Sequence, residues 1–205
     1  MTNTVENKIL KKVYTHGRGW VFSEKDFASL ANRSAIDVTL YRLMHKGTIR
    51  RVMRGVYDYP KYSKLLQKQL SPDIDKVAQA IARKHAWRIQ PSGPVALNIL
   101  SLSTQVPSKY QYLSDGPSRN FKVGNTTLAF KSTVLKEAGF KYHESKLIVV
   151  AFRSLGKERL DPDTTESMRQ WLDPKMRSKV LKDTVTVTRW IYDEIRKICR
   201  EDTNG

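Results

Sequence analysis

The sequence predicts an α+β protein, with an N-terminal winged helix-turn-helix followed by a mixed α/β C-terminal domain that ends in helices. Three observations support this fold class. Residues 18–60 contain short helical patterns followed by a basic β-ribbon. Gly124-Asn125 lies between two apolar runs and indicates a hairpin. Helical periodicity then fills the C-terminal part, around 163–172, 174–181 and 183–200.

The composition allows a packed core and indicates an anionic partner. The chain has 205 residues, of which 40% are hydrophobic, enough for one large domain or two small ones. Its formal net charge is +17, from 37 basic and 20 acidic residues. Such an excess favours a polyanion such as nucleic acid or an acidic membrane surface, although it also aids solubility. Residues 1–60 contribute +6 and the rest contribute +11, so both parts are basic.

Several protein classes do not fit the sequence. No stretch approaches the ~18 apolar residues of a membrane span, and the first residues lack the apolar segment of a signal peptide. Cys199 is the single cysteine, so no intramolecular disulfide forms, and a reducing cytoplasm fits. We expect no metal and no cofactor, since the four histidines lack zinc-site spacing: His16, His45, His85 and His143.

The first helix is expected over roughly residues 3–15, with Thr2 or Thr4 as its N-cap. Trp20-Val-Phe22 is a short apolar run typical of a first strand. Ser23 then caps a second helix that has acidic residues in its first turn.

The third helix is expected over 35–46, with Ser34 as its cap and Gly47 at its end. Its helical spacing predicts a buried stripe formed by Ile36, Leu40, Leu43 and Met44. The opposite face, with the residues at its N-terminal end, is the candidate recognition surface for DNA: Arg33, Ser34, Asp37, Thr39, Tyr41, Arg42, His45 and Lys46.

A basic hairpin follows this helix. Its apolar residues, which include Ile49 and Val56, can face the core. Three arginines are expected on or near its tip and are candidate DNA contacts: Arg50, Arg51 and Arg54. The planar, always charged guanidinium suits phosphates and a narrow minor groove. The alternative is a solvated hairpin edge whose charges block strand pairing. The order of elements, rather than any single stripe, indicates DNA binding.

The predicted domains are 1–62, the winged helix-turn-helix, and 72–205, an α+β domain, with a polar, Lys-rich connection between them. The second domain begins with a helix at about 73–85. Its remaining predicted elements are a short strand and a turn over Trp87–Gly93, a helix at 94–102, a strand followed by a turn over Tyr110–Gly116, a hairpin formed by Phe121–Val123 and Thr126–Lys131, and a helix at Lys146–Leu155.

Evidence for catalysis is weak. Asp115 with Glu144-Ser-Lys146 resembles the acid and acid-x-Lys pattern of metal-dependent nucleases, but Glu144 falls in what reads as a polar turn. The chain has no Gly-x-Ser-x-Gly elbow, no Walker loop and no dinucleotide-binding glycine series. We therefore assign no catalytic residue and expect a protein that is not an enzyme.

Five segments in order resemble the AbiEi-type antitoxins of bacterial type IV toxin–antitoxin systems, and the likeness runs from about residue 5 to about 160. They are Arg18-Gly-Trp-Val-Phe-Ser-Glu-Lys-Asp-Phe27, Arg50-Arg-Val-Met-Arg-Gly-Val-Tyr-Asp-Tyr-Pro60, Trp87-Arg-Ile-Gln-Pro-Ser-Gly93, Leu102-Ser-Thr-Gln-Val-Pro107 and Leu113-Ser-Asp-Gly-Pro-Ser-Arg119.

The resemblance implies a winged-helix repressor of its own operon, with a second domain that neutralises a nucleotidyltransferase-like toxin without needing a stable complex. The expected partners are thus double-stranded DNA carrying an inverted-repeat operator, and the cognate toxin. Two alternatives stay open: a winged-helix nuclease or nuclease subunit, and a non-specific DNA-binding accessory protein of a mobile element. The mixed polar groups on the third helix argue against the latter, because non-specific binders need charge more than variety.

Overall fold

A computed structural model describes residues 4–105, 107–134 and 139–200 of the chain. Its α-helices are α1 Val5–His16, α2 Arg33–His45, α3 Ile74–His85, α4 Gly93–Ile99, α5 His143–Leu155, α6 Pro162–Trp171, α7 Pro174–Asp183 and α8 Arg189–Cys199. Its strands are β1 Val21–Phe22, β2 Arg50–Met53, β3 Val56–Asp58, β4 Tyr62–Ser63, β5 Lys68–Gln69, β6 Ile89–Pro91, β7 Lys109–Ser114, β8 Arg119–Val123 and β9 Thr126–Ser132. The predicted α+β class is confirmed.

The chain divides into two compact units. The first contains the described residues through Trp87 together with Asn120–Leu128, and the second contains Arg88–Arg119 and the described residues from Ala129 onward. The sequence placed the boundary between 62 and 72, whereas the first unit continues to the end of α3. The reason is that α3 is amphipathic and packs on β1, β3 and the 3-10 helix Glu24–Phe27.

The first unit is built around a three-stranded antiparallel sheet of order β1–β3–β2, in which Val21 pairs with Asp58 and Arg50 pairs with the same residue from the other side. The two helices α1 and α2 and the 3-10 helix surround one apolar cluster. Its fully or almost fully buried members are Ile9, Val13, Phe22, Phe27, Ile36, Leu40, Leu43 and Ile49.

Local capping explains where these helices begin. The Thr4 hydroxyl accepts a hydrogen bond from the backbone N–H of Asn7 and so caps α1, as one of the two predicted alternatives. Ser23 and Asp26 form a reciprocal capping box, but the expected second helix is only a 3-10 turn, Glu24–Phe27. The cap of α2 is Asn32, whose side chain accepts from the N–H of Ala35; the assignment of Ser34 as the cap was therefore wrong.

The polar, Lys-rich connection that the sequence placed between the two domains contains regular structure. It contains the β4–β5 hairpin, in which Tyr62 pairs with Gln69 and Ser63 pairs with Lys68. Each strand has only two residues and both are largely exposed, so neither apolar alternation nor a long β-propensity run reveals them in the sequence. The predicted helix at 73–85 is confirmed as α3, with Asp73 as its N-cap.

The described residues beyond Trp87 contain most of the elements predicted for that part of the chain. A four-stranded sheet has the order β6–β7–β9–β8, and its β6 and β7 pair antiparallel. The turn Gly124-Asn125 joins β8 and β9 as the hairpin signal predicts. Helices α4 to α8 share a large apolar cluster whose buried members include Ile148, Phe152 and Ile195. Within the described residues, no helix is both long and apolar enough to cross a membrane.

Candidate nucleic-acid interface

The exposed face of α2 carries most of the predicted contact residues. Arg33, Ser34, Asp37, Tyr41, Arg42, His45 and Lys46 are all exposed. The apolar stripe of Ile36, Leu40 and Leu43 is buried on the opposite side, while Met44 is half-buried. This segregation fixes the rotation of the helix, so one polar face of α2 points to solvent.

Part of the charge on this face is already compensated. The Arg33 guanidinium lies 3.6 Å from the Asp37 carboxylate one turn later. Lys46 forms an ion pair with Glu6 of α1. The rings of Tyr41 and His45 are in contact, with centroids 4.3 Å apart. Surface pairs of this kind contribute little to stability, about 0–1 kcal/mol, so a stronger anionic partner can displace them.

Arg42 differs from the other cations of α2. Its side chain is exposed in the last turn of the helix, and no carboxylate in the described part of the chain is paired with it. Its five N–H donors are therefore free to form a bidentate contact.

The prediction for Thr39 was wrong. Its side chain is only 7% exposed, and its hydroxyl donates a 2.7 Å hydrogen bond to the carbonyl of Ala35 in the preceding turn. A threonine on a helix often bonds back to the i−4 carbonyl in this way. Thr39 thus belongs to the helix's inner border, while its neighbour Val38 is the exposed one, at 45%.

Arg50 also has a different environment from the one predicted. Its guanidinium donates to both carboxylate oxygens of the buried Asp58, at 3.0 and 2.6 Å, and to the carbonyl of Leu70 at 2.9 Å. The side chain of Asp58 is 2% exposed. Arg50 is consequently a structural residue that neutralises a buried carboxylate, and it lies away from the β2–β3 turn.

Arg51 and Arg54 fit the prediction better. Both are exposed, and neither has an ion-pair partner among the residues that the structure describes. Side chains alternate between the faces of a strand, which explains why Arg50 and Arg51 differ although they are adjacent. Gly55 has a positive φ of 72° at the β2–β3 turn, a conformation that favours glycine.

Two side chains of helix α3 form hydrogen bonds with β1, the 3-10 helix and the β2–β3 turn, and the sequence did not predict these contacts. Arg83 donates to the Asp26 carboxylate at 2.8 Å and to the carbonyl of Val21. Lys84 donates to the carbonyl of Gly55 in the β2–β3 turn at 3.3 Å. The basic end of α3 therefore holds the turn, β1 and the 3-10 helix in one framework. Their sequence separation leaves no local signal for such contacts.

The residues of the weak nuclease pattern do not form a metal site in the described part of the chain, where no group of three or more potential ligands occurs. The Asp115 carboxylate accepts from both the backbone and the guanidinium of Arg88, and the side-chain hydrogen bond lowers the pKa of Asp115. Glu144 and Lys146 both lie on α5, which includes the predicted helix from Lys146; the placement of Glu144 in a turn was wrong.

The single thiol is not an activated nucleophile. Cys199 is buried at the end of α8, and burial raises its pKa to about 11. A thiol with such a pKa is almost entirely protonated at neutral pH, so it lacks the thiolate that nucleophilic chemistry needs.

Comparison with known proteins identifies the family but no activity. No curated protein matches the chain. Residues 8–181 match the model of DUF6088, a family of unknown function. The match covers most of the chain, and the protein therefore belongs to the DUF6088 family.

Proposed function

We propose that the first unit is a winged helix-turn-helix that binds duplex DNA, and that the protein is a transcriptional repressor of its own operon. The observation that carries the proposal is the polar face of α2, followed directly by a hairpin whose exposed Arg51 and Arg54 have no carboxylate partner in the described chain. The net charge of +17 supports an anionic ligand.

In this proposal α2 enters the major groove. The helix has 13 residues and is about 20 Å long, and the groove is ~12 Å wide, so the helix fits along it. Arg42 would read a base edge, where arginine pairs with the O6 and N7 atoms of guanine. Tyr41 and His45 supply adjacent polar edges and aromatic surface.

The β2–β3 hairpin has a different role. Arg51 and Arg54 would contact phosphates beside the groove occupied by α2, or the neighbouring minor groove. Phosphate contacts supply affinity without sequence choice, whereas base contacts supply specificity. The two elements together give a repressor both affinity for DNA and specificity for its sequence.

The antitoxin part of the proposal rests on the five sequence segments that resemble AbiEi-type antitoxins. In that scheme the second unit neutralises a nucleotidyltransferase-like toxin in the cytoplasm, by function rather than by a stable complex. The division of the chain into two compact units supports two separable tasks.

Footprinting tests the DNA-binding part directly. The full chain is expected to protect an inverted repeat upstream of its own gene, with half-sites separated by a multiple of about 10 bp. A sequence-scrambled duplex of equal length is the control. Equal protection of both duplexes at physiological salt would contradict a repressor and favour the non-specific accessory protein.

Growth rescue tests the antitoxin part. Expression of a nucleotidyltransferase-like protein from the same operon should arrest growth, and co-expression of the full chain should restore it. Rescue should also occur when the DNA-binding arginines Arg51 and Arg54 are replaced by alanine, because the toxin gene in this assay has a foreign promoter. Failure of the unmodified chain to rescue would remove the antitoxin assignment and leave DNA binding untouched.

No catalysis is expected in this proposal. With Mg²⁺ or Mn²⁺ the protein should leave duplex and single-stranded nucleic acid uncut, and Glu144→Ala should behave like the wild type. Metal-dependent cleavage that disappears in Glu144→Ala would instead support the nuclease alternative.

A further inference from the structure

The β4–β5 hairpin presents two leucines to solvent at its tip. Leu65 is 92% exposed and Leu66 is 54% exposed, and Tyr62 on β4 is also more than half exposed. Leu65 therefore contributes almost no burial free energy to the fold and Leu66 only part of that of a buried leucine, and an isolated two-stranded hairpin is itself only marginally stable. The leucines are therefore available to a partner.

The charged residues of the segment that carries these leucines are all basic. Lys61, Lys64 and Lys68 are exposed, and residues 60–71 contain no acidic residue. Apolar tip residues flanked by cations suit a partner that is anionic outside and apolar inside. Duplex DNA has this chemistry, because stacked bases lie between two phosphate backbones.

The base of the hairpin is fixed to the sheet of the first unit. The N–H of Leu70 donates to the carbonyl of Lys61, closing the ribbon at its base. Arg50 of β2 donates to the carbonyl of Leu70, and Arg18 donates to the carbonyl of Pro60 at 3.0 Å. The hairpin thus starts beside β2, one residue from the exposed Arg51.

We propose that the β4–β5 hairpin is a second DNA-contacting ribbon, whose Leu65-Leu66 tip wedges between base steps in the minor groove and kinks the duplex. This inference rests on the proposed DNA-binding function and adds a contact to it. Leucine is one of the side chains that architectural proteins insert between bases, with lysine and arginine on the flanking backbone. Lys64 and Lys68 have the second role here.

The size of the apolar tip favours DNA over a protein partner. A stable protein interface buries about 800 Å² on each side, with an apolar centre and a polar rim. Two leucines and three lysines on a narrow ribbon supply much less, whereas a wedge needs only one or two side chains.

The test compares bending with binding, using the full chain and an end-labelled duplex from the upstream region of its gene. Wild-type protein should shorten the end-to-end distance measured by resonance energy transfer, as expected for a kink on the order of 20–90°. The variant Leu65→Ser/Leu66→Ser should still bind, but the DNA should stay nearly straight. Circular dichroism verifies the fold, which these exposed positions should not disturb.

A matched variant, Leu65→Met/Leu66→Met, keeps the apolar tip and should keep the bend. A 2-aminopurine base at the kinked step should fluoresce more strongly with the wild type and the methionine variant than with the serine variant. This signal reports unstacking, which phosphate binding alone would not cause.

The outcomes separate the two proposals. If the wild type does not bind DNA at all, both the proposed function and the wedge fail. If the wild type binds straight DNA, or the serine variant bends it equally, only the wedge is overturned. If the serine changes abolish self-association in sedimentation and leave the bend intact, the tip is a contact between copies of the chain and the wedge is again overturned.

Discussion

The α2 face and the β2–β3 hairpin both expose positive charge, but they hold it differently. On α2, Arg33 and Lys46 are paired with carboxylates, and the cations alternate with a phenol, an imidazole and a hydroxyl. On the hairpin, Arg51 and Arg54 have no such partner among the described residues. The α2 face, with its partly neutralised charge and varied polar groups, suits contacts to base edges. The unpaired charge of the hairpin suits contacts to phosphates.

Two neighbouring arginines on β2 also differ in whether their charge is neutralised. Arg50 neutralises Asp58 inside the unit, and Arg51 faces solvent on the other side of the strand. Counting basic residues along the ribbon therefore overestimates its DNA-binding charge. Variants of these arginines and of Thr39 distinguish structural roles, phosphate contacts and base contacts.

The largest effect is expected for Arg50→Ala, and on stability. This change would leave the buried Asp58 carboxylate without its ion pair, which should cost about 3 kcal/mol of unfolding free energy. Urea unfolding measures the loss. The double variant Arg50→Met/Asp58→Leu removes both charges and should recover most of it. Unchanged stability with a weaker salt dependence of DNA binding would place Arg50 among the phosphate contacts instead.

The next effect is expected for Arg51→Ala/Arg54→Ala, and on affinity. Losing two phosphate contacts should reduce the slope of log K against log salt by about 1.8, equivalent to about 30-fold weaker binding at 0.15 M salt. The loss should be equal for operator and scrambled DNA. Fluorescence anisotropy measures it. Lys175→Ala/Lys179→Ala on α7 removes the same charge from the second unit and should leave the slope nearly unchanged; an equal drop there would mean that net charge alone drives binding.

Arg42→Ala tests whether α2 contacts base edges. The variant should lose discrimination between operator variants rather than affinity for all DNA, by about 1–3 kcal/mol at one base position. Competition binding with single-base operator changes measures this preference. Arg33→Ala, which removes a cation already paired with Asp37, is the control and should keep the preference. A uniform loss of affinity with Arg42→Ala would make Arg42 a phosphate contact.

Thr39→Val should have the smallest effect. The Thr39 side chain is buried and its hydroxyl is occupied within the helix, so affinity and preference should stay within about twofold of the wild type. The same competition binding measures both. A changed base preference would show that the hydroxyl reaches DNA after all.

The sequence predicted the fold where the signal is local. The Gly124-Asn125 turn and the stripe of α2 are encoded within a few residues, and the corresponding elements occur. The Ser23 cap is also present, although it begins only a 3-10 turn instead of the predicted helix. It did not predict the pairing of Arg50 with Asp58 or of Arg83 with Asp26, because those partners are 8 and 57 residues apart and nothing in the spacing joins them.

The sequence pattern also did not predict that Thr39 is buried. Thr39 lies next to Leu40 at the edge of the apolar stripe, where a helical period of 3.6 residues leaves the facing direction ambiguous. The sequence also did not predict the β4–β5 hairpin, because its leucines are exposed and its short strands show no apolar face.

Interference footprinting of the wild type and the two arginine variants distinguishes base contacts made by α2 from phosphate contacts made by the β2–β3 hairpin. We predict that Arg42→Ala abolishes interference by guanine N7 methylation at one position in each half-site. Arg51→Ala/Arg54→Ala should abolish interference by phosphate ethylation and leave the methylation pattern intact. Loss of the same contacts in both variants, or an unchanged pattern in either, would contradict this assignment of contacts.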